Sequence, residues 1–441
     1  MRFDTLGEWL AWQERLHPVG MDLTLERIAL VADRLGLRDA ATPRTVIVAG
    51  TNGKGTVTTR AAALLHARGL KVGLFTSPHL LHYNERIRLN GVPATDADLC
   101  RAFDAVDRAR GDDSLTYFEF GALAAAWLFR DAGVDVQVLE VGLGGRLDAV
   151  NIWDADVAAI TAVDLDHQTW LGDDREAIGR EKAGIMRARR PVILGELNPP
   201  ASVLAHAREI GARVSRLGPD FDLVCAGDRL SWQWRGGRVD WPVGPALALD
   251  GAVLANTATA LAIVETLGYR AGLDTVMLQQ ALAVQAPGRL QRIAGNPEWV
   301  LDVAHNAQAV AELARWLRVH AVEGPVVALV AVMADKERAA MWRALDGVID
   351  VWVAVPLELP RALPAAALAE ELRAAGQHCV QVGDSLPGAL EYGAREAGPT
   401  GRQVVFGSFH TVAAVLEQAP PELAIRALQP GAHPGRVASH G

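Results

Sequence analysis

The sequence predicts an α/β protein of two domains, a larger N-terminal one built around a phosphate-binding loop and a smaller C-terminal one. Three observations carry this. First, a chain of 441 residues is too long for one compact core, and domains of ~150 residues allow two or three. Second, Val46-Ile47-Val48-Ala49-Gly50-Thr51-Asn52-Gly53-Lys54-Gly55-Thr56 reads as a buried β-branched strand entering a glycine-rich turn, with a helical run from Thr58 to Ala67 behind it. Third, Ala286-Pro287-Gly288-Arg289 interrupts a helical pattern, after which strand and helix alternation restarts. The expected domains are residues 1–286 and 287–428, and the Pro-, Gly-, Ala- and Ser-containing stretch 429–441 is expected to be a disordered tail.

Composition narrows the class. The chain is 50% apolar and 22% charged, and no apolar run approaches the roughly 20 residues of a membrane helix, so no membrane partner is expected. Met1-Arg2-Phe3-Asp4-Thr5 carries no apolar signal region, which leads us to expect a cytoplasmic protein. A net charge of −9 argues against a nucleic-acid partner. Anionic substrates must then be met by local basic residues and metal ions. Cys100, Cys225 and Cys379 lie far apart with no C-x-x-C spacing, so they are expected as buried thiols rather than disulfides or zinc ligands. Without sustained heptads, a monomer is expected.

The elements follow in order. Trp9 to Leu37 reads as helical by period, with Asp22 or Thr24 capping the amphipathic start at Met21 to Ile28. At the glycine-rich turn, the unpaired N–H groups of a helix N-terminus suit phosphate oxygens. Lys54 adds a mobile charge on the outer phosphates, and Thr56 a hydroxyl on the metal side. Gly55 makes the spacing depart from G-x-x-x-x-G-K-[ST]. Lys71 to Phe75 is a strand, and the Ser77-Pro78 step after it holds Ser77 on a loop at the carboxyl edge of the sheet, where ligands of open α/β sheets bind. Arg86 and Arg88 suit either a substrate carboxylate or phosphate, or a solvated strand face. Ser114 or Thr116 is the expected cap of a helix that runs to Arg130 with Glu119 in its first turn.

A second buried strand, Val134 to Val141, carries Glu140. A carboxylate in an apolar strand needs a partner, either a hard cation beside the phosphates or Arg146. Val157 to Val163 is a strand that leads to His167, which taken alone is a structural histidine. Lys182, in a helix expected over Arg175 to Ala188, is by residue type a solvated helix-face lysine. Asp222 to Trp241, with short alternating runs and Gly236-Gly237, reads as a hairpin or small antiparallel patch, and Ala252 to Leu267 as a helix. Beyond the boundary we expect strands at Trp299–Val303, Val326–Val332, Val351–Val355 and Val404–Phe406, and a helix at Ala307–His320.

Taken together, G-T-N-G-K-G-T at 50–56, S-P-H-L at 77–80, T-Y-F-E at 116–119, E-V-G-L-G-G-R-L-D-A at 140–149, D-H at 166–167, E-K-A-G-I at 181–185, P-G-R at 287–289 and D-V-A-H-N at 302–306 resemble the folylpolyglutamate synthases of the Mur ligase superfamily. T-Y-F-E is similar to the pterin motif of the bifunctional dihydrofolate synthase/folylpolyglutamate synthase branch. The resemblance runs from about Leu23 to His410. It implies a P-loop domain of the Mur-ligase central type followed by a Rossmann-like α/β domain, and a site between them that closes to exclude water.

The resemblance also implies roles. Thr51, Asn52, Gly53, Lys54, Gly55, Thr56 and Asn256 would bind ATP, with Arg289 and Asp302 reaching it from the second domain. Ser77, Glu140 and His167 would hold two Mg²⁺ ions, and Lys182, carbamylated by CO₂, would help hold the second. Only a neutral amine reacts with CO₂, so a site that lowers the lysine pKa favours this. Leu23, Thr24, Leu25, Thr116, Tyr117, Phe118, Glu119, Leu147, Asp148 and Ala149 would contact the pterin. Lys54, His167 and Lys182 would form the catalytic set. Asp335-Lys336 and Gly407 to Thr411 resemble loops that serve glutamate or substrate. Gln168 stands where the family often has threonine, and Ala307 where it often has proline.

The implied activity is ATP-dependent amide formation. A substrate carboxylate takes the γ-phosphoryl group as an acyl phosphate, and the amine of L-glutamate then displaces phosphate, with dihydropteroate and reduced folates as acceptors. Such chemistry needs position and charge neutralisation rather than a protein nucleophile. The nearest alternative is a folylpolyglutamate synthase without dihydropteroate activity. A P-loop regulatory module and a cell-wall Mur ligase are the others; the latter usually carries an extra UDP-binding domain that the short segment before residue 46 cannot hold.

Overall fold

The computed structural model describes residues 1–20, 22–39, 42–225, 231–236, 244–245, 251–269 and 274–418. The expected tail 429–441 lies outside them, as do Met21 and Trp241. The chain forms two compact units, Met1–Val284 and the remainder from Gln285.

In the first unit, strands β1 (Arg44–Ala49), β2 (Val72–Phe75), β3 (Ile87–Leu89), β4 (Val92–Pro93), β5 (Val136–Glu140), β6 (Val157–Ile160), β7 (Pro191–Leu194) and β8 (Arg213–Arg216) form one sheet in the order β4-β3-β2-β5-β1-β6-β7-β8. The pairs from β2 to β8 are parallel, and β3 and β4 extend one edge as an antiparallel ribbon. A strand covered on both faces needs no polar alternation, which is why Val46 to Ala49 reads as an unbroken apolar run.

Helices α1 (Leu6–Gln13), α2 (Glu26–Arg34), α3 (Lys54–Ala67), α4 (Asp96–Arg110), α5 (Tyr117–Asp131), α6 (Gln168–Leu171), α7 (Arg175–Ala183), α8 (Ala201–Glu209), α9 (Gly251–Thr266) and α10 (Thr275–Ala283) complete the unit. Ile47 and Ala49 pack with Phe103, Phe120 and Phe129 of α4 and α5. Val46 and Val48 pack on the opposite face with Leu64 of α3 and Leu261 of α9. A three-stranded antiparallel sheet, β9 (Phe221–Cys225), β10 (Ser231–Gly236) and β11 (Gly244–Pro245), lies in the order β11-β10-β9. β9 and β10 give the expected antiparallel patch as far as Gly236, and Gly237 to Trp241 lie outside the described residues.

The second unit carries a six-stranded sheet, β12 (Gln291–Ile293), β13 (Glu298–Leu301), β14 (Val326–Val330), β15 (Val351–Ala354), β16 (Val380–Val382) and β17 (Arg402–Phe406), ordered β12-β13-β17-β14-β15-β16 and parallel except at β12. Its helices are α11 (Ala307–Val319), α12 (Ala339–Ala344), α13 (Ala365–Ala374), α14 (Leu386–Ala397) and α15 (Phe409–Gln418). Their apolar faces meet the sheet around Trp342, Trp352 and Phe406.

Four expectations are corrected. The helix expected from Trp9 to Leu37 is broken between Gln13 and Glu26, at a stretch containing Pro18 and Gly20. Neither Asp22 nor Thr24 caps its second half, because the N-cap is Leu25 and makes no side-chain cap bond, while Asp22 pairs with Arg27. The helix containing Lys182 ends at Ala183 rather than Ala188. Gly184 caps it where a Cβ would strike the Arg146 backbone and side chain. Cys100 is buried as expected, but the Cys379 thiol is exposed.

Candidate functional site

The glycine-rich turn lies between β1 and α3, and the helix starts at Lys54 itself, earlier than its apolar pattern suggests. Gly53 is the N-cap with φ +92°, a left-handed geometry that favours glycine. A Cβ there would also collide with the Asn256 amide of α9. The structure therefore puts Asn256 against the loop. Arg60 of α3 secures α9 by donating to Val253 O (3.2 Å) and to the Thr257 hydroxyl. Lys54 Nζ donates to Gly50 O (2.9 Å) and Thr51 O (3.2 Å), so its ammonium stays folded over the turn.

The turn is strapped to the segment that follows β6. Thr51 N donates to Ala162 O (2.7 Å), Thr161 Oγ1 to Asn52 O (2.7 Å), Thr51 Oγ1 to Asp164 O (2.9 Å), and Asp164 N back to Thr51 Oγ1 (3.0 Å). That segment runs directly into Asp166 and His167.

Glu140 ends β5 beside Val48 of β1 and is buried. Arg146, the alternative partner, instead pairs with Glu181 (3.0 Å). The Glu140 carboxylate accepts from Ser77 N (3.2 Å) and would lie 3.6 Å from a Cβ placed on Gly55. Ser77, Glu140 and the first turn of α3 are thus brought together. A hydroxyl and a carboxylate are the hard oxygen donors that magnesium takes, and they fit such an ion. Among the described residues no three His, Cys, Asp or Glu side chains form a metal cage.

His167 is the N-cap of α6 in a left-handed conformation (φ +51°), half-exposed, with Nε2 3.9 Å from the Asp166 carboxylate. Lys182 overturns its residue-type expectation. It is only 3% exposed, and no hydrogen bond to its amine is found among the described residues. Burial, reinforced by the charge of Lys54, pulls its pKa down to about 7, opposed by Asp166 and Asp148. Asp148 is pushed up to about 6 by burial, against bonds from the backbone of Leu143 and Val150 and the charge of Lys54. Lys54, Lys182, Asp148 and Asp166 are therefore one electrostatic group.

Of the expected pterin residues, Thr116 caps α5 in a capping box with Glu119. Glu119 is buried, and its Oε2 accepts from Thr116 N (2.8 Å) and Arg27 Nε (3.0 Å), while among the described residues Oε1 has no partner. Phe118 packs on Phe75 with ring centroids 5.5 Å apart, and its ring stands where a Cβ on Gly142 would fall. The Arg86 guanidinium lies 5.4 Å from both the Tyr83 and Tyr117 rings, and its Nε meets His79 Nδ1 (2.7 Å). Arg88 is turned to Glu85 O (3.3 Å). Leu23, Thr24 and Leu25 are half-buried between α1 and α2; Leu147 is half-buried and Ala149 buried beside Asp148.

Arg289 and Asp302 belong to the second unit. Asp302 accepts from Leu290 N (2.8 Å) and Ala304 N (2.7 Å), and burial pushes its pKa up to about 6. The Arg289 guanidinium lies 4.8 Å from the Phe409 ring. Asp335 pairs with Arg361 (3.1 Å), and Thr411 Oγ1 donates to Ala331 O (2.7 Å).

Sequence reasoning missed Asp166 as a carboxylate facing Lys182, although its place just after a strand end was a signal. It also missed Arg27, because nothing in a local pattern tells which distant carboxylate an arginine will meet.

Residues 288–409 match the family described as Mur ligase, glutamate ligase domain. The dihydrofolate synthase/folylpolyglutamate synthase of Escherichia coli is 41% identical over 418 residues, covering 93% of this chain and 95% of that protein. The structure of E. coli FolC in complex with DHPP and ADP matches with a TM-score of 0.88 at 39% identity, over 96% of this chain and 99% of that one. The Yersinia pestis bifunctional folylpolyglutamate synthase/dihydrofolate synthase complexed with AMPPNP and Mn ion matches with a TM-score of 0.86 at 41% identity, over 94% and 98%. With the phosphate loop and its acidic neighbours in place, this chain belongs to the dihydrofolate synthase/folylpolyglutamate synthase family of the Mur ligases.

Proposed function

We propose that this chain is an ATP-dependent carboxylate-amine ligase that joins L-glutamate to 7,8-dihydropteroate, giving dihydrofolate, and adds further glutamates to reduced folates. The observation that supports this most is the buried Lys182 beside Lys54 and two carboxylates. A lysine whose pKa falls to about 7 is half neutral at neutral pH, and the neutral amine is the form that reacts with CO₂ to give a carbamate. A resident Mg²⁺ would neutralise charge on the phosphate oxygens during phosphoryl transfer. Ser77 and Glu140 would hold it, with His167 and the Lys182 carbamate at a second ion.

The remaining roles are those the family resemblance implies. The N-terminal amides of α3 hold the phosphates, and Lys54 swings from the carbonyls of Gly50 and Thr51 to the outer phosphate. Asn256 and the loop residues Thr51 to Thr56 fix the nucleotide. Residues 1–286 are read as an ATP- and pterin-binding domain and 287–428 as the C-terminal domain, and the family resemblance gives Arg289 and Asp302 of the latter as ATP contacts. The acceptor lies on Leu23 to Leu25, Thr116 to Glu119 and Leu147 to Ala149. No serine, cysteine or aspartate need act as a nucleophile, because the substrate carboxylate attacks the γ-phosphate and glutamate's amine then expels phosphate. We further read the protein as a cytoplasmic monomer without nucleic-acid or membrane partners; no described helix is long and apolar enough to cross a membrane.

The test is phosphate release by purified protein with ATP, Mg²⁺ and glutamate. Dihydropteroate should support turnover and yield dihydrofolate. Turnover with reduced folates alone would reduce the protein to a folylpolyglutamate synthase, and ATP consumption indifferent to glutamate would remove the ligase reading.

A further inference from the structure

We propose that Arg27 is a positioning residue of the acceptor site: with Asp22, Glu119 and His17 it forms a charged latch that locks Leu23-Thr24-Leu25 onto the first turn of α5. This rests on the acceptor site described under the proposed function, and assigns within it a residue that acts through Asp22 and Glu119.

Both ends of the 23–25 segment are tied. Arg27, just after it, donates through Nη1 to the Asp22 carboxylate, through Nη2 to Asp22 O (3.1 Å) and through Nε to Glu119 Oε2 (3.0 Å). Asp22, just before it, has the ring of His17 3.3 Å away at Nε2, and His17 Nδ1 meets Ser114 Oγ at 2.9 Å. Thr116 N closes the circuit on Glu119 (2.8 Å). The segment itself has no side-chain cap to hold it, since Leu25 at the α2 N-cap makes none. One planar guanidinium serves three acceptors on both sides of the segment, a geometry that a lysine ammonium on its flexible stem cannot reproduce.

The Arg27 and Glu119 side chains are 18% and 4% exposed, so the pair is largely desolvated. Such pairs add little stability over well-packed apolar residues of the same volume, yet breaking one leaves a buried charge unpaired. A circuit of this kind is best suited to fixing geometry, and what it fixes are two of the segments expected to cradle the pterin.

The experiment compares wild type, Arg27→Met, Arg27→Lys, Glu119→Gln and the Arg27→Met/Glu119→Gln double variant in steady-state assays that vary dihydropteroate and ATP separately, with melting temperatures recorded. Arg27→Met should raise the KM for dihydropteroate by about tenfold or more, the scale of a lost charged hydrogen bond, while the KM for ATP stays within about twofold. Arg27→Lys should recover part of the loss, and the double variant should lose less than the two single losses combined. An unchanged KM for dihydropteroate, a parallel rise in both KM values with a falling melting temperature, or strictly additive losses would overturn the latch. If wild type turns over only reduced folates, the dihydropteroate reading fails, and the same comparison on tetrahydrofolate decides the latch.

Discussion

Replacing Lys182 with methionine separates what the buried amine costs the fold from what it does. The two side chains are similar in length, and residue 182 is only 3% exposed. In the fold the amine titrates at about 7 rather than 10.5. Between those values the unfolded chain carries a proton that the folded chain has shed, so stability rises with pH across the window, and the full cost of burial is felt below it. Integrated at 1.36 kcal/mol per pH unit, the cost is about 4 kcal/mol at pH 7 and about 1 kcal/mol at pH 9.5. Lys182→Met removes it. Urea unfolding in CO₂-free buffer should therefore find the variant more stable by up to about 4 kcal/mol near pH 7, with the gap closing toward pH 10. Ligase activity should be lost at every pH. A variant less stable than wild type at pH 7, or a gap that ignores pH, would refute the reasoning that the amine is buried without adequate compensation.

Three further outcomes are expected. Lys54→Ala should lower kcat by about 10²- to 10³-fold in a phosphate-release assay, the scale of removing one preorganised charge-stabilising group, and an unimpaired variant would displace Lys54 from the chemistry. Glu140→Gln should raise the Mg²⁺ concentration for half-maximal activity by about tenfold or more, read from a metal titration at saturating ATP. Asp302 titrates at about 6 in the fold against 3.8 for the free side chain, so the folded state holds a proton that the unfolded state has lost, and stability from this group falls as pH rises from about 4 to 6. Asp302→Asn should flatten that fall in urea midpoints.

Much of the fold was legible because local signals agreed with tertiary context. The β1 apolar run, the glycine-rich turn and the Thr116–Glu119 capping box each specify their own geometry. What was not legible depended on distant partners. Asp22 and Thr24 look like caps, but a cap forms only if nothing binds the side chain better, and Arg27 does so for Asp22. Lys182 looks like a solvated lysine by residue type; that it is buried, and within reach of the charges of Lys54, Asp148 and Asp166, is set by the fold rather than by its neighbours in sequence. Glu140 was legible as an anomaly, a carboxylate in an apolar strand, but that it faces Gly55 and Ser77 rather than Arg146 needed coordinates. Cys379 was taken as buried from residue type alone, which carries little information at a single loop position.

Catalysis here turns on activation of the acceptor's carboxylate by phosphoryl transfer at the loop holding Lys54. Dihydropteroate labelled with ¹⁸O in its carboxylate, turned over with ATP, Mg²⁺ and glutamate, tests it directly, since an oxygen that attacks phosphorus leaves with it. Mass spectrometry should find one ¹⁸O in the inorganic phosphate released with each dihydrofolate formed, and unlabelled phosphate would rule out acyl-phosphate activation.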